Sequence, residues 1–397
     1  MIKLHRHLPK SVWVLGLVSL LMDISSEMVH GLLPVFLVSL GASATAIGLI
    51  EGVGEGIALI TRMFSGAISD RLKHRKALIV AGYLLGTLSK PLFAVAYGVG
   101  LVFGARSLDR FGKGLRGAPR DALIADLTPA DRLGAAYGLR QALDSLGAAL
   151  GPLLAVILMT IGGDNFRLVF WVAVLPGMAA VSLLIALVRD PSVTRVAGRL
   201  RPRLSELRQL NRSYWLILCL GIIFTLARFS EAFLLLRAED LGLSARLVPM
   251  VLLLLSLFYA LGAYPAGTLS DRLGRVPLLG LGLIFLLGGD LMLAAATDLR
   301  LFMAGTALWG LHLAFSQGLF SAMIADTSNS QLRGTAFGIY GFATGLAILL
   351  ASLLAGRLWD LLGPPAPFYA GAGFSGLALL GLWLVNGWTN QQKGLDK

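Results

Sequence analysis

Twelve apolar runs, each close to the ~20 residues that cross a bilayer, follow one another along the chain with only short polar breaks between them. They lie near 12–37, 44–67, 77–97, 98–119, 133–161 and 167–188, then near 213–236, 246–268, 277–297, 300–322, 334–357 and 366–388. Such runs read as helices, because in hydrocarbon each backbone N–H and C=O must find its partner within the segment. The expected fold class is therefore an all-α, polytopic membrane protein with 12 transmembrane helices. Of the 397 residues 56% are hydrophobic and only 14% are charged, which excludes a soluble multidomain chain. The first residues, "MIKLHRHLPK", resemble the start of a signal peptide. The run behind them is long, holds Asp23 and Glu27 and lacks a small-residue cleavage site, so it is expected to stay as the first span.

The net charge of +12 invites a nucleic-acid reading, and the distribution of the cations answers it. Lys3, Arg6 and Lys10 precede span 1, Arg71, Lys73, Arg75 and Lys76 follow span 2, and seven arginines lie between Arg189 and Arg212. All fall on one side, whereas connections on the other, "SLGASAT" and "GGDN", carry almost none. The positive-inside rule then predicts cytoplasmic termini and a cytoplasmic membrane location, with a lipid bilayer and no nucleic acid as partner.

The chain also repeats itself. "GAISDRL" at 66–72 returns as "GTLSDRL" at 267–273, "ALIAD" ending at Asp126 returns as "AMIAD" ending at Asp326, and "AAYG" at 135–138 returns as "TAFG" at 335–338. The shared offset of 200 or 201 residues predicts two homologous six-helix bundles, 1–190 and 213–397, joined by a basic cytoplasmic linker at 191–212. Parallel repeats of this kind hold a binding site between them near mid-membrane.

With these residues in view, the chain resembles the major facilitator superfamily of secondary transporters, and within it the 12-helix drug/proton antiporter branch. "GAISDRLKHRK" is similar to the family's connection between helices 2 and 3, matching at Gly66, Asp70, Arg71 and Arg75. "RSLDR" stands where the family has Arg-x-x-Gln-Gly on helix 4; Arg106 matches, while Asp109 and Arg110 replace the Gln and Gly. "GAALGPLLA" is similar to the helix 5 pattern of antiporters, with Gly147, Gly151 and Pro152 in place and the trailing glycine pair absent. The resemblance implies alternating access, a small-molecule substrate, proton coupling and a monomer.

Each pattern also has its own physics. Asp70, Arg71 and Arg75, repeated as Asp271, Arg272 and Arg275, can pair with neighbouring helix ends, Asp126 below span 4 among them, and so form a conformational latch. Gly147, Gly151 and Pro152 permit close packing and a bend.

Charges within a bilayer cost about 2.5–3.5 kcal/mol each on insertion scales and are expected to face protein or a wet cavity. Their spacing fits: Asp23, Glu27 and His30 follow i, i+4, i+7 on span 1, and Glu51 and Glu55 lie four apart on span 2. On span 4, Arg106, Asp109, Arg110, Lys113 and Arg116 form a basic stripe, and Arg140 and Asp144 lie four apart on span 5. Acids from spans 1, 2 and 5 are expected to compensate that stripe. The "GKG" inside it lacks the phosphate-loop spacing.

The second half offers Arg228 and Glu231 on span 7, Asp290 on span 9, and His312 with Gln317 on span 10. Phe224, Phe229, Trp309 and Phe315 are its candidate cradle for an organic molecule. Glu27 is the first candidate for proton coupling, with Arg106 as the cation released on its protonation; Asp23, Glu51 and Glu55 compete with it. No nucleophile elbow, His-Glu-x-x-His or Cys-x-x-Cys is present, so no enzyme, cofactor or metal centre is expected, and the single Cys219 excludes an internal disulfide. The expected function is proton-coupled efflux of a small organic solute. A transition-metal exporter using Asp23, Glu27, His30 and Glu51, an uptake symporter and a lipid transporter are the alternatives.

Overall fold

A computed structural model describes residues 8–71, 75–129, 132–188, 210–316, 319–328 and 333–395, so most of the basic linker lies outside it. Sixteen helices among these residues make up twelve spans. Spans 2 to 5 are the single helices Ala44–Arg71, Lys76–Ala94, Val99–Leu127 and Leu133–Ile161; spans 8, 9, 11 and 12 are Met250–Leu273, Arg275–Ala295, Arg333–Leu362 and Ala366–Leu395. Four spans are interrupted. Span 1 is Lys10–His30 and Leu33–Ser39, span 6 is Phe166–Val172 and Val174–Leu187, span 7 is Arg212–Ala227 and Ala232–Asp240, and span 10 is Leu299–Ser316 and Leu319–Thr327.

Ten spans are apolar and long enough to cross a membrane on length and composition alone. The two others are spans 4 and 10. Span 4 carries too many charges for hydropathy to find it, yet its helix runs unbroken across Arg106, Asp109, Arg110 and Lys113. Its apolar neighbours and its place in the repeat identify it as a span.

By contact the chain divides into two compact units: residues 1–40 with 57–200, and 41–56 with 201–397. In the first, span 1 packs along span 5 and span 3 along span 4. Val12, Leu15, Val18 and Met22 of span 1 share a core with Ile79 and Tyr83 of span 3 and Leu184 of span 6. Lipid offers little hydrophobic drive for helix association, so the backbones must come close. Gly82 and Gly112 meet at the seam of spans 3 and 4, where a Cβ on Gly112 would stand 2.7 Å from the Gly82 carbonyl oxygen.

In the second unit span 9 packs along span 10, with Gly289 and Gly305 at their seam, and span 10 also packs along span 8. The first turns of span 2 belong to this unit and form a tight seam with span 11. Gly48 lies against the Ser352 carbonyl, Gly52 against Leu349, and Gly356 against Ala44 and Thr45. Asp360 closes one end of this seam. Its Oδ1 accepts from the Ala44 N–H at 3.0 Å, and its Oδ2 accepts from the Thr45 N–H at 2.9 Å and the Thr45 hydroxyl at 2.5 Å. A carboxylate from span 11 thus caps the N-terminus of span 2, where free N–H groups and the helix dipole favour a negative charge.

Candidate functional site

Span 1 breaks just after its acidic stripe: the helix ends at His30, Gly31 and Leu32 turn, and Pro34 lies in the first turn of the helix that resumes at Leu33. Span 7 breaks in the corresponding place, with residues 228–231 non-helical. Paired interruptions in corresponding segments of two repeats are a good pointer to a transport site, since they free backbone groups at membrane depth. Each unit carries polar or aromatic groups around its own break.

In the first half the stripe lies against span 5. A Cβ on Gly147 would stand 2.9 Å from that of Asp23, and one on Gly151 would stand 2.6 Å from that of Glu27. The helix 5 glycines therefore seat the span 1 acids against bare backbone, leaving Asp23 and Glu27 half-buried. Pro152 follows within the same helix.

Beside them runs a ring of polar contacts through spans 1, 3 and 4. His30 Nδ1 accepts from Arg106 Nη2 at 3.0 Å, Arg106 lies 4.0 Å from Asp109, and Lys90 Nζ donates to Asp109 Oδ1 at 2.7 Å. Lys90 then returns to span 1 by donating to the Ser26 hydroxyl at 3.3 Å. All four charged or titratable members are buried, Lys90 to 1% exposure. Asp109, an acid of the stripe itself, takes its closest cation from span 3, while Asp23 of span 1 faces Lys113, Arg116 and Arg120. Arg110 is buried and Lys113 exposed.

A second cluster joins spans 2, 4 and 5. Arg140 pairs with Asp144 at 2.9 Å and approaches Asp121 at 3.6 Å; Arg120 lies 3.3 Å from Asp121 and 3.9 Å from Asp144; Arg62 reaches Asp121 at 3.2 Å. Arg120 also donates to the Ser19 hydroxyl at 2.8 Å, tying span 1 to the cluster. Arg75 and Asp126 meet at 3.2 Å, and a Cβ on Gly66 would touch Ala118. The side chains of Asp70, Arg71, Asp271 and Arg272 lie outside the described residues, and so does Gln317; Arg275 begins span 9.

Glu51 and Glu55 lie on the part of span 2 that clusters with the second unit, so no single unit gathers them with Asp23, Glu27 and His30. Glu51 is buried and Glu55 half-buried.

In the second half Phe229, within the span 7 break, packs on Phe233, Trp309 and Phe368 with ring centroids 5.4–5.7 Å apart. Arg228 and Glu231 flank it, both half-buried. Trp309 is fully buried, its indole N–H donating to Asp290 Oδ1 at 2.8 Å. His312 is fully buried too, bonded through Nδ1 to the Gly282 carbonyl, with Phe224 5.2 Å away. Of the expected cradle, Phe229 and Trp309 come together, whereas Phe315 packs on Phe285.

Lys90 and the Arg120–Asp121 members of the second cluster were not among the expected site residues. A signal existed for the first: Lys90 is the one charge between Lys76 and Arg106, deep in an apolar run, and a charge so placed needs a partner.

A bundle of membrane-crossing helices in two repeats, with interrupted spans beside buried polar networks, defines a secondary transporter rather than an enzyme. The Major Facilitator Superfamily profile matches residues 15–236 and 216–394, and the chain belongs to that family. It is 34% identical to an uncharacterized MFS-type transporter of Methanocaldococcus jannaschii, over 94% of this chain and 95% of that one. It is 23% identical to the quinolone resistance protein NorA of Staphylococcus aureus, over 92% and 94%. A crystal structure of a POT peptide transporter in complex with sulfate shares the fold, with a TM-score of 0.80 at 14% identity over 96% of this chain and 95% of that one.

Proposed function

We propose that this transporter exports a small organic solute in exchange for protons, as a monomer in the cytoplasmic membrane with both termini in the cytoplasm. The observation that carries the reading is the seating of Asp23 and Glu27, two half-buried acids one turn apart, on the glycines of span 5, along the helix whose Ser26 and His30 bond to Lys90 and Arg106. A carboxyl group there exchanges its proton in a setting where a nearby guanidinium responds to its charge. Likeness to a quinolone resistance protein supports an organic substrate and the outward direction. The basic connections on one side of the membrane support the orientation. Metal export draws less support, because His30 already accepts from the Arg106 guanidinium, and a metal ion bound there would sit beside a fixed cation.

The test is transport in proteoliposomes with an imposed pH gradient, beginning with fluoroquinolones and then other organic solutes. Solute flux against proton counterflow is expected, and Glu27→Gln is expected to reduce gradient-driven flux to the level of empty vesicles while solute exchange without a gradient persists. Full gradient-driven flux in Glu27→Gln would remove Glu27 from the coupling role. Flux indifferent to the gradient in the parent protein would overturn antiport itself.

A further inference from the structure

The repeat brings corresponding positions of the two halves into comparison at an offset of 200 residues. Lys90 corresponds to Asp290, and Asp109 to Trp309. Both pairs bridge the third and fourth spans of their half, by bonds of 2.7 and 2.8 Å. In the first half an anion meets a cation. In the second the anion-forming residue stands in the lysine's place, and its partner is an indole.

Asp290 is fully buried, and its Oδ2 has no hydrogen-bond partner among the described residues. Trp309 donates only, so Oδ1 must be the accepting oxygen. Titratable or charged groups on the surrounding helices are His312 on span 10, Arg228, Glu231 and Arg237 on span 7, and Tyr369 on span 12; none of them engages the Asp290 carboxyl. Arg237 bonds instead to the Leu293 and Ala296 carbonyls and to Asp240, and His312 to the Gly282 carbonyl. What faces Oδ2 is span 12 at Gly371, and a Cβ there would stand 2.6 Å from Oδ2 and 3.2 Å from the Ala227 carbonyl oxygen. Among the described backbone bonds outside helices, no N–H reaches the Ala227 carbonyl, which closes the first helix of span 7.

Such surroundings select one state of the carboxyl. An ionised Oδ2 would sit fully buried, with no donor and no cation to offset the lost hydration. A protonated carboxyl carries no charge, so its burial there costs far less. We infer that Asp290 is a proton-binding site of the second half, holding its proton at rest close to the break in span 7. Loss of that proton sets the carboxylate against the break, so the second half senses protons independently of Glu27 and of the direction of transport.

Infrared difference spectroscopy of the purified full-length protein at neutral pH tests this without any substrate. The spectrum of the parent minus Asp290→Asn is expected to contain the carbonyl stretch of a protonated carboxylic acid, shifting to lower frequency in D2O. In Trp309→Phe the same band is expected to move, because Oδ1 loses its donor; this variant gives the answer by itself if Asp290→Asn does not fold. Carboxylate bands in the difference spectrum, or an acid band that neither variant alters, would overturn the inference. A transport screen that fails while the acid band is present would count against antiport and leave this site standing.

Discussion

Purified protein carrying Lys90→Met is expected to unfold far more readily than the parent, by about 3–5 kcal/mol, the scale of stranding one member of a buried ion pair. Lys90 and Asp109 are both buried at the tight seam of spans 3 and 4, where a Cβ on Gly112 finds no space and water cannot enter to solvate the remaining carboxylate. Asp109 would keep the Ser89 hydroxyl at 3.3 Å and the fields of Arg110 and Arg106, none of which replaces an ammonium at 2.7 Å. The double variant Lys90→Met/Asp109→Asn is expected to recover most of the loss, since it removes both charges and keeps an amide for Ser89 and Arg106. Thermal unfolding in detergent, followed by tryptophan fluorescence, measures all three. A single variant as stable as the parent would mean that the pair is hydrated, and the ring through His30, Arg106, Asp109 and Lys90 would lose its standing as a buried network.

Gly48→Val is expected to part the first turns of span 2 from span 11. The added Cβ would stand far inside van der Waals contact with the Ser352 carbonyl oxygen, and backbone cannot rotate away as a side chain does. Overpacking of this kind costs about 1–3 kcal/mol when the surroundings yield, and here the yielding element is a whole helix segment. The readout is a disulfide between Thr45→Cys and Asp360→Cys in a Cys219→Ser background, which is straightforward because Cys219 is the only native cysteine. Crosslinking in the Gly48 protein and its loss in Gly48→Val are expected. Equal yields in both would show that the seam is looser than the close contacts at Gly48, Gly52 and Gly356 indicate.

The number and order of the spans were legible because hydrocarbon imposes one requirement on every stretch that crosses it, and an apolar run of fixed length is the direct record of that requirement. Span 4 was legible as a run near 98–119 despite its charged stripe, and the repeat supports it, although those charges keep it below the hydropathy of the other runs. The spacing of Asp23, Glu27 and His30 was legible as one helical face and Gly147 and Gly151 as points of close packing, whereas that the two meet was not. Partners were much less legible. Whether Asp109 turns toward span 1 or span 3 depends on how the hairpin 76–127 sets its register, and a count of acids against bases carries no register. Lys90 and Asp290 each look like a lone interruption in an apolar run until the chain folds and places Asp109 and Trp309 opposite them. The division of span 2, with Glu51 and Glu55 clustering away from the rest of their half, has no local sequence signal, because the glycines that cause it mark close packing without saying against what.

The clasp formed by Asp360 locates where control over the span 2–span 11 seam resides. Along its length the seam is dispersion between bare backbones, which lipid can replace on separation with little loss, because acyl chains are as apolar as what they displace. At its end, Asp360 is exposed and holds the amide hydrogens of Ala44 and Thr45. Opening therefore has its toll at the watery mouth, where dissolved ions and hydrating molecules compete for the same donors, and the bilayer is close to a bystander.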